Sequence, residues 1–175
     1  MSKTLRVLIA DDSEVDALLI ASELEAAGYE LICKRINTAA EMKTALEELP
    51  WDLVISDHYM PGFNSKQALE LLQSTGLDLP FIIVSGAMGD GTAVAMMKAG
   101  AHDCLQKGRL ARLAPAVERE LQNVAIRRER QQAEQALHVS QASLAAMQRI
   151  AQLGSWELDL SDLDDINKNA LHWSD

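Results

Sequence analysis

Residues 53–56 read Leu-Val-Ile-Ser, an uninterrupted apolar run that ends on Asp57 and is followed by His58-Tyr59-Met60-Pro61-Gly62. A run without apolar/polar alternation offers no face to solvent. It fits a strand covered on both sides, the situation of parallel strands in α/β sheets. Ligands of open sheets of that kind gather at the carboxyl ends of the strands. Asp57 therefore occupies a position where chemistry is done.

The sequence on either side supplies the partners such a strand needs. Residues 5–10, Leu-Arg-Val-Leu-Ile-Ala, form a strand that runs straight into Asp11-Asp12. Ser13 is placed to cap a helix whose apolar positions Val15, Leu18, Leu19, Ser22 and Leu24 roughly follow a 3.6-residue period until Gly28. Residues 29–36 make a second, more polar strand nearer an edge. Thr38 and Glu41 then form a capping box for a helix to about Leu49, which Pro50 closes. After the Asp57 strand, a Pro-Gly loop leads to a helix over 65–75 with Ala68, Leu69, Leu71 and Leu72 facing inward. Phe81-Ile82-Ile83-Val84-Ser85 is the fourth strand, 86–91 a loop, 92–99 a short helix ended by Gly100, and 103–106 a weaker fifth strand ending at Lys107. Strands alternating with helices predict a doubly wound, five-stranded parallel sheet with helices on both faces, because parallel neighbours require crossover connections.

Composition excludes several functions. The formal charge of −10 argues against direct nucleic-acid binding, which needs a basic surface to displace counterions. No apolar run approaches the ~20 residues that span a bilayer, and the start of the chain is too short for a signal peptide, so we expect a cytoplasmic protein without membrane contact. Cys33 and Cys104 lack CxxC spacing and lie in strand-like contexts, which predicts buried free thiols.

From residue 113 to about 153 the chain has no Gly and only Pro115 near its start, and it is rich in Ala, Glu, Gln and Arg. These residues favour a helix too long for a small domain to cover. Val117, Leu121 and Val124 make one seam. Ala133, Leu137, Ser140, Leu144, Met147 and Ala151 make a second, out of phase with the first and separated from it by Arg127-Arg128-Glu129-Arg130. A coiled coil with a phase break, hence a homodimer through 113–153, is the expectation. Residues 155–160 alternate like a strand, and 161–175 are polar and acidic apart from Trp173. The expected organisation is a first domain over 1–121, a helical linker over 113–153, and at 154–175 an acidic tail or the start of a further domain.

At the carboxyl ends of the strands stand Asp11 and Asp12, Asp57, Ser85 and Lys107, all converging on one rim. Carboxylates this close repel by roughly 1 kcal/mol per pair in water. A hard divalent cation with oxygen ligands offsets that, and Mg²⁺ suits one or two carboxylates plus a phosphoryl oxygen. With Lys107 as a second positive charge and Ser85 as a hydroxyl donor, the set forms a site for a phosphoryl group.

This constellation resembles the receiver domain of two-component response regulators over about residues 5–121. The matching pieces are Asp11-Asp12, Asp57 within Ile-Ser-Asp-x-x-Met-Pro-Gly, Val84-Ser85-Gly86 and Lys107. The resemblance implies a flavodoxin-like (βα)5 fold in which Asp57 accepts phosphate from a histidine kinase or phosphotransfer protein. It also implies Mg²⁺ held by Asp12, Asp57 and the backbone carbonyl of Tyr59, with Asp11 acting through water. Two positions depart from the family pattern. Cys104 stands where the family commonly carries an aromatic residue, and Gly108 where Lys107 is often followed by Pro. We therefore expect signalling to run through the Ser85 loop and the fifth helix rather than through a rotating aromatic ring. The segment 150–160 with Trp173-Ser174-Asp175 resembles the first strand region of a PAS sensor domain, which implies an output domain beyond this sequence.

Rival functions fit less well. The Gly86–Gly91 region lacks the Gly-Lys-Ser/Thr ending of a phosphate-binding loop. A haloacid-dehalogenase-type hydrolase needs Asp-x-Asp after the first strand, whereas Asp11 and Asp12 are adjacent. His58 and His102, lacking a second ligand at suitable spacing, read as surface residues. The alternative that remains is a receiver-like scaffold that dimerises or docks without being phosphorylated.

Overall fold

The structure, a computed structural model, describes residues 3–86, 89–152, 156–158 and 171–173. The chain divides into two compact units, residues 1–126 and 127–175. In the first, strands β1 (Lys3–Ala10), β2 (Tyr29–Ile36), β3 (Leu53–Ser56), β4 (Phe81–Ser85) and β5 (Asp103–Gln106) alternate with helices α1 (Glu14–Ala26), α2 (Ala39–Glu48), α3 (Ser65–Ser74) and α4 (Asp90–Ala99). A 3-10 turn, Lys107–Arg112, leads into α5, Leu113–Gln152.

The five strands are parallel in the order β2-β1-β3-β4-β5. This is the flavodoxin-like doubly wound order, and its reversal point lies between β1 and β3. All residues of β3 and β4 are buried, as the unbroken apolar runs require. Alternation along the strands builds two cores. Leu8, Ala10, Val54, Phe81 and Ile83 pack on the side of α2, α3 and α4. Val7, Ile9, Leu53, Ile55, Ile82 and Val84 pack on the opposite side, with Ile20 and Leu24 of α1 and Leu113 and Val117 of α5. Full burial of one such side chain contributes roughly 2 kcal/mol.

Several local expectations meet a different outcome. In α1 the inward residues are Ala17, Ile20, Ala21 and Leu24, while Val15, Leu18 and Leu19 are exposed. The helix is apolar nearly all round, so periodicity does not select a face; small Ala residues set the contact with the sheet. At the start of α2, Thr38 Oγ1 accepts the Glu41 N–H at 3.2 Å as expected. The Glu41 carboxylate turns instead to the Asn37 N–H, at 2.9 Å. In α3, Leu71 is only partly buried, and Ser65 joins Ala68, Leu69 and Leu72 inside.

Cys33 is exposed rather than buried, because β2 is an edge strand; Cys104 is half-buried. His58 and His102 are both hydrogen-bonded and half-buried. His58 Nδ1 lies 2.8 Å from Ser65 Oγ, and His102 Nδ1 accepts the Phe81 N–H at 3.1 Å. The seam Val117, Leu121, Val124 turns inward within the first unit, with Val117 and Val124 buried and Leu121 partly so.

In the second unit α5 continues, with Leu137, Leu144 and Met147 exposed. Strand β6 (Trp156–Leu158) pairs antiparallel with β7 (Leu171–Trp173), Trp156 opposite Trp173. The expected strand over 155–160 is thus present at its centre. The expectations for Gly154 and for 159–170 fall outside the described residues. No helix among the described residues is long and apolar enough to cross a membrane.

The corrected α1 face is testable by urea unfolding. Leu24→Ala is expected to lower the free energy of unfolding by about 3 kcal/mol. Leu18→Ala, on the exposed side of the same helix, is expected to change it by less than about 0.5 kcal/mol. Comparable losses for both would contradict this packing.

Candidate functional site

The carboxyl ends of β1 and β3 meet at the reversal point of the sheet, and backbone pairing sets the acids there. The Asp57 N–H donates to Ala10 O at 2.8 Å, and the Asp11 N–H to Ile36 O at 3.1 Å, which carries the ladder one residue beyond each strand. Oxygens of Asp11, Asp12 and Asp57 all lie within 4.8 Å of one another. Asp11 is fully buried, Asp57 is 9% exposed, and Asp12 is exposed. An all-carboxylate donor set of this compactness suits a hard cation such as Mg²⁺, which binds oxygen.

Lys107 enters from the end of β5. Its ammonium donates to Asp11 Oδ2 at 3.0 Å, Asp57 Oδ2 at 2.9 Å and Asp16 Oδ2 at 2.5 Å. Burial alone would pull the Lys107 pKa down; the hydrogen bonds to Asp16, Asp57 and Asp11 outweigh it and push the pKa well above the ordinary lysine value. Burial raises the Asp11 pKa above the usual carboxylate range. The Ser13 N–H and Lys107 oppose this, and the Asp57 charge adds to it.

Ser85 ends β4, buried, in register beside Gln106, the residue before Lys107. The Tyr59 side chain is exposed, while its backbone N–H reaches Asp57 Oδ1 at 3.4 Å, so the peptide after His58 folds over the carboxylate. Four of the residues singled out from the sequence, Asp11, Asp12, Asp57 and Lys107, are therefore in one cluster. Ser85 and Tyr59 flank it.

Sequence reasoning missed two contributors. Asp16 lies in the first turn of α1, where an acid ordinarily complements the helix dipole, so its type carried no special signal. Arg35, near the end of the edge strand, donates to the carbonyl of Asp11 at 3.1 Å, a contact only the β1–β2 register reveals. At the other side of β5, Ala93, Val94, Met97, Lys98, Asp103 and Cys104 line an open depression. Cys104, one of its lining residues, is half-buried, and that burial raises its thiol pKa. Arg119 of α5 joins β5 through Asp103 at 2.8 Å and also holds Glu120 at 2.8 Å. Burial would raise the Glu120 pKa, but Arg119 and Asn123 hold it below the usual range.

The Response regulator receiver domain family model matches residues 7–118. Among curated proteins, the chain is 32% identical over 113 residues to the sensory/regulatory protein RpfC of Xanthomonas campestris pv. campestris (strain 8004), an alignment spanning 62% of this chain and 15% of that protein. It is 32% identical over 109 residues to a protein-glutamate methylesterase/protein-glutamine glutaminase of Agrobacterium fabrum, covering 61% of this chain and 31% of that one. The chain thus spans less than a third of either relative. Among solved structures, the signal receiver domain of a signal transduction histidine kinase from Syntrophus aciditrophicus superposes with a TM-score of 0.57 at 27% identity, covering 68% of this chain and 91% of that one.

The crowding of acids carries a measurable consequence. In chelator-treated buffer, Asp12→Asn removes one of three mutually repelling carboxylates and is expected to raise the free energy of unfolding by about 1 kcal/mol. The readout is a higher urea midpoint at unchanged slope. A lower midpoint would show that Asp12 is not under repulsion.

Proposed function

As the chain belongs to the response regulator receiver domain family, we propose that it is the phosphoacceptor module of a two-component pathway, with Asp57 as the acceptor. The observation that carries this reading is the Lys107 ammonium lying within hydrogen-bond distance of both Asp57 and the buried Asp11, next to an acid cluster suited to Mg²⁺. Asp12, Asp57 and the Tyr59 carbonyl would hold the cation, with Asp11 supporting them. When bound, the cation supplies neutralisation of the transferring oxygens.

The chemistry of the chain's own residues is as follows. A carboxylate oxygen of Asp57 attacks the phosphorus of a phosphohistidine on a histidine kinase or phosphotransfer protein. The O–P bond forms as the P–N bond breaks, and the bonding pair leaves with the imidazole. Lys107 neutralises charge on the entering group, and the Ser85 hydroxyl donates to a phosphoryl oxygen, drawing its loop toward the site. The contacts favour one of two arrangements of the surface around α4 and β5. With Cys104 beside an open depression, the signal passes through the Ser85 loop and along α5, to which β5 is tied by the Asp103–Arg119 ion pair.

Beyond the first unit, α5 presents Ala133, Leu137, Ser140, Leu144 and Met147 at alternating steps of four and three residues, all exposed. That spacing supports a parallel homodimer through a coiled coil. We read the paired strands β6 and β7 as the start of a PAS-like domain, with an acidic tail as the alternative. The module works in the cytoplasm and catalyses its own phosphoryl transfer and dephosphorylation, and its net charge of −10 argues against direct nucleic-acid binding.

Incubation with acetyl phosphate and Mg²⁺ is expected to add the mass of one phosphoryl group to the wild-type chain, and none to Asp57→Asn or in the presence of a chelator. A wild-type chain that stays unlabelled would favour the alternative, a scaffold that docks without phosphorylation. For the helix, sedimentation equilibrium is expected to give a dimer for the wild type and a monomer for Leu137→Glu/Leu144→Glu. A wild-type monomer would remove the coiled coil.

A further inference from the structure

We propose that Asp16 is a positioning residue for Lys107, holding its ammonium at the rim of the site while Asp57 changes from carboxylate to acyl phosphate. The inference rests on the receiver reading above and deepens it. A lysine ammonium has three donors and no acceptor. Here its three partners are Asp11, Asp16 and Asp57, and the shortest contact, 2.5 Å, is to Asp16.

The three partners do not have the same duties. Asp11 and Asp57 belong to the acid cluster at the strand ends, whereas Asp16 is outside that cluster and comes from α1. Its backbone is fixed there, because the Asp16 N–H donates to the N-cap hydroxyl of Ser13 at 3.2 Å. On phosphorylation, an Asp57 oxygen is taken into the new O–P bond and its charge moves outward onto the phosphoryl group. The Lys107 stem is long and flexible, and it starts from a 3-10 turn rather than from a strand. Asp16 is the anchor that the reaction does not alter, so the ammonium stays where the incoming oxygens arrive.

The test uses the full chain as wild type, Asp16→Ala and Asp16→Asn. Two quantities are followed: the rate of phosphoryl incorporation from acetyl phosphate with Mg²⁺, by intact mass, and the Lys107 ammonium signal in ¹H–¹⁵N spectra of the metal-free protein. Asp16→Ala is expected to slow incorporation about tenfold, within the roughly hundredfold that a ~1 Å misplacement can cost, and to abolish the slowly exchanging ammonium signal. Asp16→Asn, whose amide oxygen still accepts a hydrogen bond, is expected to restore most of both, and it keeps the side-chain shape should the Ala variant fold poorly. If the wild type is labelled on Asp57 while Asp16→Ala is labelled as fast or faster, or if the ammonium signal is unmoved, the assignment to Asp16 is overturned. If the wild type is not labelled, the receiver reading fails instead, and the metal-free spectra still decide whether Asp16 holds Lys107.

Discussion

Among the described residues, the ammonium of Lys107 is the positive charge that ion-pairs with the carboxylates converging on the carboxyl rim of the sheet. Its three hydrogen bonds reach the end of β1, the first turn of α1 and the end of β3. Without it, Asp11 would be a buried carboxylate opposed by neighbouring charges of its own sign. Burial raises the Asp11 pKa, while at Lys107 the hydrogen bonds to Asp16, Asp57 and Asp11 outweigh burial and favour the charged ammonium. The three clustered carboxylates of Asp11, Asp12 and Asp57 suit a further, hard cation.

The fold keeps this arrangement in place through its two cores. Because β1 and β3 are central and buried on both faces, the residues that follow them cannot shift without disturbing both layers. The parallel order puts every strand's carboxyl end on the same side, so a loop residue after β5 meets acids that lie far away in sequence. On the far side of β5, the pairing of Asp103 with Arg119 ties the strand to α5. On the side facing α4, Cys104 lines an open depression with Ala93, Val94 and Met97. A change at Lys107 thus has a short covalent path to α5, through the 3-10 turn Lys107–Arg112.

Much of this was legible in the chain itself. The runs at 53–56 and 81–85 announced buried parallel strands, and the acids, Ser85 and Lys107 fell at their ends. What failed to show were features whose cause is not periodic. The inward face of α1 is set by Ala17 and Ala21, small enough for close approach, while the larger Val15, Leu18 and Leu19 stay outside. Cys33 reads as a strand thiol but is exposed, because burial in a strand depends on its place in the sheet. The seam at Val117 and Val124 has coiled-coil spacing, yet it is buried within the first unit, since a helix uses the same spacing to pack on a sheet.

The amino-acid sequence by itself determined the order of elements, the two-sided burial of the central strands and the identity of the acids at their ends. Those follow from local hydrophobic pattern and from the rule that parallel strands need crossovers. Only the tertiary structure decided that Lys107 bonds to Asp16 as well as to Asp11 and Asp57, that Arg35 reaches the Asp11 carbonyl, and which side of α1 faces the sheet. Each of these depends on distances between segments brought together by register and helix rotation, and neither quantity is written in the local pattern of residues.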